Sequence, residues 1–285
     1  MKTTMLNNEI SMPQIGYGVF RMTDEAECEE AVVQAIKCGY RMIDTAAAYG
    51  NEKAVGRALN RCGVPREELF ISTKLWITDT SYEGAKRGFA RSMDNLGLDC
   101  IDLYLIHQPY NDVYGAWRAL EELYEQGKIR AIGVDNFTSD RLADFIYFNK
   151  TIPAANMVEC NPFYQREDER KYMVSKQVKM LAWSPLAAGK ADLLNNETIC
   201  LIAERHGASP AQIALCWLIQ RGIVPIVKSA NPIRMEENLK ALDMILTNEE
   251  MALISSLDTG HTCFSPRRDG ISVENFLDSA INYKL

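Results

Sequence analysis

Four side chains at the C-terminal ends of three successive expected strands could move a proton: Asp44 and Tyr49, then Lys74, then His107. A phenol with an ordinary pKa of about 10 is a poor acid near neutrality. An ammonium beside it stabilises the phenolate and lowers that value, while a carboxylate keeps the ammonium charged and in place. An imidazole can hydrogen-bond a carbonyl oxygen and orient it. The set suits protonation of an oxyanion as a hydride reaches the carbon. Each member alone has a plainer reading. Asp44 would be a turn or cap residue, Tyr49 a rim aromatic, His107 a hydrogen-bonded core residue, and Lys74 a side chain snorkelling to solvent. Two other chemistries draw on the same positions. A metal-dependent hydrolase would use Asp44, His107 and Glu159, although the chain has three histidines, no His-x-His and no i,i+4 His pair. A Schiff-base aldolase would use Lys74 as its nucleophile.

Short apolar segments alternating with amphipathic helices must position these groups. Strands are expected at 15–19, 40–44, 69–75, 101–106, 129–134, 155–159, 180–183 and 223–227. The first helix shows the period clearly, with Cys28, Ala31, Val32, Ala35 and Ile36 on one face, Asp24 as N-cap and Gly39 as stop. Further helices are expected at 51–61, 81–96, 112–126, 139–147, 167–175, 195–206, 209–221 and 233–242. The one opening with Ser209-Pro210-Ala211-Gln212 has a cap, a first-turn proline and a capping-box glutamine. Eight strand–helix units without a linker predict one (β/α)₈ barrel domain over 1–285, with a doubly wound sheet as the alternative. Residues 3–14, with Asn7-Asn8 at the turn, read as a hairpin closing the barrel bottom. Beyond 259 an irregular C-terminal loop is expected, relieved by a short helical piece at 273–277.

Composition narrows the function classes. The 285 residues carry a net charge of −7, with 47% hydrophobic and 24% charged residues, which is ordinary globular usage. An acidic chain is poorly suited to nucleic acid or anionic membranes. The longest wholly apolar run, 213–219, falls far short of the roughly 20 residues a membrane helix needs. None of the eight cysteines forms a Cys-x-x-Cys pair, and residues 1–11 lack an apolar signal segment. The expectation is a cytoplasmic monomer with reduced thiols whose partner is a small molecule.

The motifs are more specific than the pattern. Asp44-Thr45-Ala46-Ala47-Ala48-Tyr49-Gly50-Asn51-Glu52, then Thr73-Lys74-Leu75-Trp76, then Leu103-Tyr104-Leu105-Ile106-His107 resemble the signatures of the aldo-keto reductases. The resemblance runs in order over nearly the whole chain and is strongest with bacterial members similar to diketogluconate reductases. It implies a catalytic tetrad of Asp44, Tyr49 as general acid, Lys74 as modulator of its pKa, and His107 orienting the carbonyl. It also implies reduction of an aldehyde or ketone by NADPH on a barrel.

Gly16-Tyr17-Gly18-Val19-Phe20-Arg21 begins like a dinucleotide fingerprint but lacks its third glycine. Lys228-Ser229 instead closes the last strand, and Arg234, Glu237 and Asn238 share a face near the next helix start. Cations flanking a helix N-terminus can bind phosphate, although a solvated helix face with a capping Asn is equally compatible. The resemblance makes these five residues the site of the adenosine 2′-phosphate. It further implies Asn136 at the nicotinamide carboxamide, Trp183 beneath the ring, and Ser184 and Leu186 in the pyrophosphate loop.

Two departures stand out. Asp135 replaces the usual family Ser and Met157 the usual Gln, both of which hold the carboxamide. A carboxylate at 135 is expected to favour the cationic oxidised ring over the neutral reduced one. The substrate pocket is expected from Phe20, Trp76, Gln108, Tyr110 and the loop 261–266, with the family's frequent Trp absent at 20 and 108. The family also includes channel-associated subunits that bind the nucleotide and act mainly through partners. The complete tetrad favours an enzyme.

Overall fold

The computed structural model describes residues 1–265 and 269–282. Its strands are β1 (Thr3–Met5), β2 (Ser11–Pro13), β3 (Gly16–Gly18), β4 (Met42–Asp44), β5 (Phe70–Leu75), β6 (Ile101–Ile106), β7 (Ile129–Asp135), β8 (Ala155–Glu159), β9 (Lys179–Trp183) and β10 (Val224–Val227). Its helices are α1 (Glu25–Cys38), α2 (Glu52–Arg61), α3 (Tyr82–Leu96), α4 (Val113–Glu125), α5 (Ser139–Phe148), α6 (Glu167–Ser175), α7 (Glu197–His206), α8 (Pro210–Gln220), α9 (Pro232–Lys240), α10 (Asn248–Ser255) and α11 (Gly270–Ile281). Strands β3 to β10 are parallel, and β10 pairs back onto β3, so the sheet closes. The fold is a (β/α)₈ barrel, and closure excludes the doubly wound alternative.

Alternation along the strands separates two cores. Leu103, Leu105, Ala131, Met157, Leu181 and Ile226 belong to the interior cluster, while Tyr104, Ile106, Ile132 and Val134 pack against the helices. The hairpin β1–β2 lies across the bottom, contributing Leu6 and Met12 to the interior cluster. Its turn is anchored there: Asn7 donates to the Pro153 carbonyl at 3.1 Å and Asn8 to that of Arg130 at 2.9 Å.

Gly16 and Gly18 are explained by packing. A Cβ on Gly16 would stand 2.5 Å from Ile226 Cδ1, and one on Gly18 2.9 Å from Ile226 Cγ2. Bare backbone on β3 makes room for the Ile226 side chain, which accounts for the two glycines without a phosphate. Between them Tyr17 turns outward and donates its hydroxyl to the Ser229 carbonyl at 2.6 Å.

The expected caps form. Asp24 accepts the Glu27 N–H at 2.8 Å, Gly39 ends α1 in the left-handed region, and Ser209 and Gln212 make a full capping box. The C-terminal third departs from expectation. Helix α10 was not anticipated, although the capping box of Thr247 and Glu250 marks its start. Helix α11 runs well beyond 273–277 and opens with a box between Asp269 and Ser272. An irregular C-terminal loop is therefore too simple a description. No helix among the described residues is long and apolar enough to cross a membrane.

Candidate active site

The strand ends at the C-terminal mouth carry the ionisable groups, as barrels place them. Asp44 ends β4, and Lys74 sits one residue before the end of β5 with no exposed surface. Lys74 Nζ donates to Asp44 Oδ2 at 2.6 Å and to the Thr45 carbonyl at 2.9 Å. The same ammonium lies 5.2 Å from the Tyr49 ring centroid. Burial works against the Lys74 charge, but Asp44, with Tyr49 and Asp135 adding to it, holds the ammonium protonated above its ordinary range. Asp44 is itself raised by burial, and Lys74 pulls it back. Enclosed and ion-paired to Asp44, Lys74 suits a fixed ammonium rather than the free amine a Schiff-base aldolase needs.

The expected lowering of the Tyr49 pKa is reversed. Burial pushes the phenol up to about 12; Lys74 opposes the rise, and Asp44 and Asp135 add to it. Lys74 does lower the phenol's pKa as expected, but desolvation by burial outweighs it. The phenol consequently stays protonated across the neutral range and has a proton to give. Its ring meets His107 edge-on at 5.8 Å, and Trp76 meets His107 from another side at 5.1 Å.

Two residues quoted in the first motif without an assigned role, Asn51 and Glu52, fix the turn between Asp44 and Tyr49. Asn51 is buried, accepting the Thr45 hydroxyl at 2.7 Å and donating to the carbonyls of Val19 and Met22 at 3.0 and 3.1 Å. Glu52, also buried, accepts from Thr73 Oγ1 at 2.7 Å and from Asn95 at 3.2 Å. These two residues tie the Tyr49 turn to β5 and to the loop after β3.

On the other side of the mouth, β6 and β7 pair with Ile106 opposite Val134, so the next residues, His107 and Asp135, come side by side. His107 Nε2 stands 3.8 Å from Asp135 Oδ2, both residues being buried. Asn136 follows with φ of 66°, its side chain donating to the His107 carbonyl at 3.1 Å and accepting from Trp183 Nε1 at 3.0 Å. Met157 is buried in the interior cluster with Leu181. Glu159 accepts from Cys263 N–H at 2.9 Å and from the Thr262 hydroxyl, and so fastens the C-terminal loop. With Asp44 bonded to Lys74 and Glu159 to this loop, the hydrolase set does not assemble; among the described residues no three His, Cys, Asp or Glu gather as ligands.

The phosphate candidates lie beyond β10. Asn231 caps α9, accepting from the N–H groups of Ile233 and Arg234, and its own N–H donates to Ser229 Oγ at 3.1 Å. Lys228 and Arg234 are exposed, and among the described residues neither enters an ion pair. Glu237 is half-buried, whereas Asn238 is buried; one turn before it, the Met235 carbonyl accepts the Tyr40 hydroxyl at 3.3 Å. The shared helix face is thus graded, with the cation out and the amide in. Ser184, Ala187, Ala188, Ala191 and Asp192 all have positive φ, so the chain after β9 coils tightly through the candidate pyrophosphate loop containing Leu186.

The aldo/keto reductase family profile matches residues 14–259. The chain belongs to this family. It is 45% identical over 255 residues to a 9,11-endoperoxide prostaglandin H2 reductase of Trypanosoma cruzi, covering 89% of this chain and 90% of that protein. With a glyoxal reductase of Bacillus subtilis it is 44% identical, covering 90% and 92%. An aldo-keto reductase structure from a Medee basin deep-sea metagenome library superposes with a TM-score of 0.91 at 42% identity, over 93% and 98% of the two chains. A Bombyx mori aldo-keto reductase in complex with NADP gives 0.87 at 30% identity, over 93% and 95%. The protein is accordingly an oxidoreductase of the aldo-keto reductase type.

In this reductase the expected pocket residues divide. Phe20 is 55% exposed and tilts onto Tyr49 at 5.0 Å, while Trp76 and Gln108 are buried. Tyr110 packs on Phe276 at 5.8 Å, and Trp76 Nε1 donates to the Ala280 carbonyl at 3.2 Å. Helix α11 therefore packs against two of the expected pocket residues, a contact not anticipated from the sequence. The spacing of Val273, Phe276, Leu277 and Ala280 was the available signal. In the loop 261–265, Phe264 meets Trp183 edge-on at 5.3 Å and lies under Lys190 Nζ at 4.3 Å. Pro266, the last residue of the expected pocket loop, lies outside the described residues.

Proposed function

We propose that this enzyme reduces aldehydes or ketones, sugar-derived and dicarbonyl compounds among them, with NADPH as hydride donor and Tyr49 as general acid. The observation that carries the reading is the Lys74 ammonium, locked by Asp44 at 2.6 Å behind a phenol that also faces His107. The donor set suits a nicotinamide dinucleotide phosphate. Lys228 and Arg234, which enter no ion pair among the described residues, flank a capped helix start for a phosphate monoester, and Trp183 offers an aromatic face near the Asn136 amide. Asn136 keeps one N–H and lone-pair capacity beyond its two bonds, enough for a carboxamide. Ser184, Leu186, Ser229, Glu237 and Asn238 complete the proposed cofactor site, with Asp135 and Met157 at its nicotinamide end.

When bound, the reduced nicotinamide supplies the hydride. Tyr49 then gives its proton to the carbonyl oxygen, so that one hydride and one proton turn the carbonyl into an alcohol. As Tyr49 gains negative charge, the neighbouring Lys74 cation stabilises it, and Asp44 prevents Lys74 from turning away or surrendering its own proton. His107 holds the carbonyl oxygen by hydrogen bonding. Phe20, Trp76 and Tyr110 exclude water around it.

Loss of NADPH absorbance against a panel of aldehydes, ketoses, glyoxal-type dicarbonyls and an endoperoxide tests the proposal. Turnover of at least one carbonyl class is expected, together with poorer use of NADH. Tight nucleotide binding without turnover of any member would favour a partner-acting, nucleotide-binding subunit.

A further inference from the structure

The barrel floor carries a cleft that the chemistry of the mouth does not use. It lies between the β1–β2 hairpin and the turn from α6 into β9, and has a volume of about 390 Å³. Pockets of this size hold small organic molecules. Its apolar lining is of two kinds. Leu6 and Val178 are buried, whereas Met5 of the hairpin and Val174 of α6 are 61% and 62% exposed. Apolar side chains from two elements, open to water beside one cleft, gain from being covered.

The charged lining has one sign. Lys179 opens β9 and is half-buried, and no Asp or Glu lines the cleft. Its N–H bonds the Ala154 carbonyl at 3.0 Å and the strand pairs it with Ala155, so its backbone is fixed. Among the described residues the Lys179 ammonium enters no ion pair or hydrogen bond. Burial alone acts on it, lowering its pKa from the ordinary lysine value with no carboxylate to offset the lost water. Amide donors stand beside it. The Gln177 side chain has no partner among the described residues, and Asn7 keeps one N–H beyond its bond to the Pro153 carbonyl. Free carbonyls at the end of α6 would repel an anion, but those of Tyr172, Met173 and Val174 already accept from the N–H groups of residues 176–178.

We propose that the floor cleft binds a small carboxylate with an aliphatic or aromatic body. The Lys179 ammonium pairs with the carboxylate, and the Gln177 and Asn7 amides donate to its oxygens. Met5, Leu6, Val174 and Val178 cover the carbon chain. One cation suits a monoanion; the second charge of a phosphate monoester would enter the cleft uncompensated. A neutral molecule of the same shape would dehydrate the ammonium further and give nothing back. The site binds without reacting, as expected at the end of a barrel away from its catalytic loops. It stands independently of the reading of the mouth.

Methyl-labelled methionine NMR reads the cleft directly, because Met5 lines it, and Met5→Leu identifies its signal among the twelve methionines. The probes are octanoate, octanamide and inorganic phosphate. Octanoate should shift the Met5 methyl saturably and bind roughly tenfold more tightly than octanamide, while phosphate leaves the signal in place. Lys179→Gln should remove that preference, weakening octanoate about tenfold and changing octanamide by less than about twofold. If the Gln variant does not fold, Val174→Glu, at an exposed position, places a negative charge in the same cleft and should weaken octanoate comparably. No saturable Met5 shift, equal affinities for octanoate and octanamide, or octanoate binding unchanged in the folded variant would each overturn the proposal. So would a shift confined to Met157, which puts the carboxylate at the mouth. A Met5 shift that follows protein concentration without octanoate would make the cleft a contact between two copies, and would overturn it as well.

Discussion

The barrel buries an aspartate at each end, and the two are wired differently. On the floor, Asp102 of β6 accepts Arg130 at 2.6 Å on one oxygen, and Arg66 at 2.5 Å and the Ile71 N–H at 2.8 Å on the other. At the mouth, Asp44 takes Lys74 at 2.6 Å on one oxygen alone. Both floor arginines reach solvent, whereas Lys74 is wholly enclosed. Asp102 thus joins strands and loops through donors that lose little hydration. The mouth instead encloses a full charge pair, a costly arrangement unless it serves chemistry. The floor should therefore respond to mutation in stability, and the mouth in rate.

The largest expected effect belongs to the mouth. Tyr49→Phe removes the hydroxyl but keeps the ring between Phe20 and His107. Carbonyl reduction should fall by roughly 10²–10⁴, the usual range for a general acid, with NADPH affinity and melting temperature nearly unchanged. Steady-state rates within threefold of the parent would end the contrast, because the enclosed pair would then support no chemistry. On the floor, Asp102→Ala should cost about 3 kcal/mol of stability through the lost charged hydrogen bonds and an orphaned Ile71 N–H. Denaturant melts would show the loss, and turnover per folded molecule would stay close to that of the parent. A rate collapse at full stability would place Asp102 in the chemistry.

How much of this was legible depended on the range of the interaction. The strand alternation and the Asp44-to-Glu52, Lys74 and His107 motifs are local in sequence, and the barrel brings Asp44, Tyr49, Lys74 and His107 together. Desolvation of Tyr49 was not legible, because it depends on what encloses the ring in three dimensions. The approach of Asp135 to His107 depends on the β6–β7 register, which residue types alone do not specify. Helix α10 carried a readable capping box at Thr247 that the barrel count left no reason to seek. The contact of α11 with the expected pocket residues rests on Phe276 and Ala280, far along the chain from Trp76 and Tyr110.

A middle-sized effect tests the exposed edge of the mouth. Arg234 and Lys228 are free of ion pairs among the described residues, unlike Arg66 and Arg130 on the floor. Removing Arg234 should leave stability untouched and weaken NADPH by about 1.5–3 kcal/mol, or roughly 10–150-fold, with little change for NADH. Isothermal titration of Arg234→Ala with both nucleotides reads this directly. Equal losses would show that Arg234 serves the helix rather than a 2′-phosphate.

The smallest effect sharpens the same contrast through pH, at a carboxylate remote from the Lys74–Asp44 pair. Glu167 opens α6 and accepts both Arg170 nitrogens at 2.9 Å, together with Arg221 from the end of α8. The Arg170 hydrogen bonds are the largest influence; burial works the other way, Arg221 assists, and the carboxyl falls from 4.5 to about 2. A depressed folded-state value means that the unfolded chain takes up the proton first on acidification. The stabilisation from Glu167 is fully present above about pH 4.5 and is lost as pH falls toward about 2. Since the side chain is more than a third exposed, water screens the interaction, and the effect should resemble a good surface network, under about 1 kcal/mol. Glu167→Gln should therefore lower the melting temperature slightly at neutral pH, the two proteins converging as acid protonates the parent. Activity per folded molecule should be indifferent, because Glu167 touches none of the mouth residues. A difference that persists unchanged to about pH 2 would mean that Gln disturbs packing rather than charge, and the ion-pair account of the α6–α8 contact would fall.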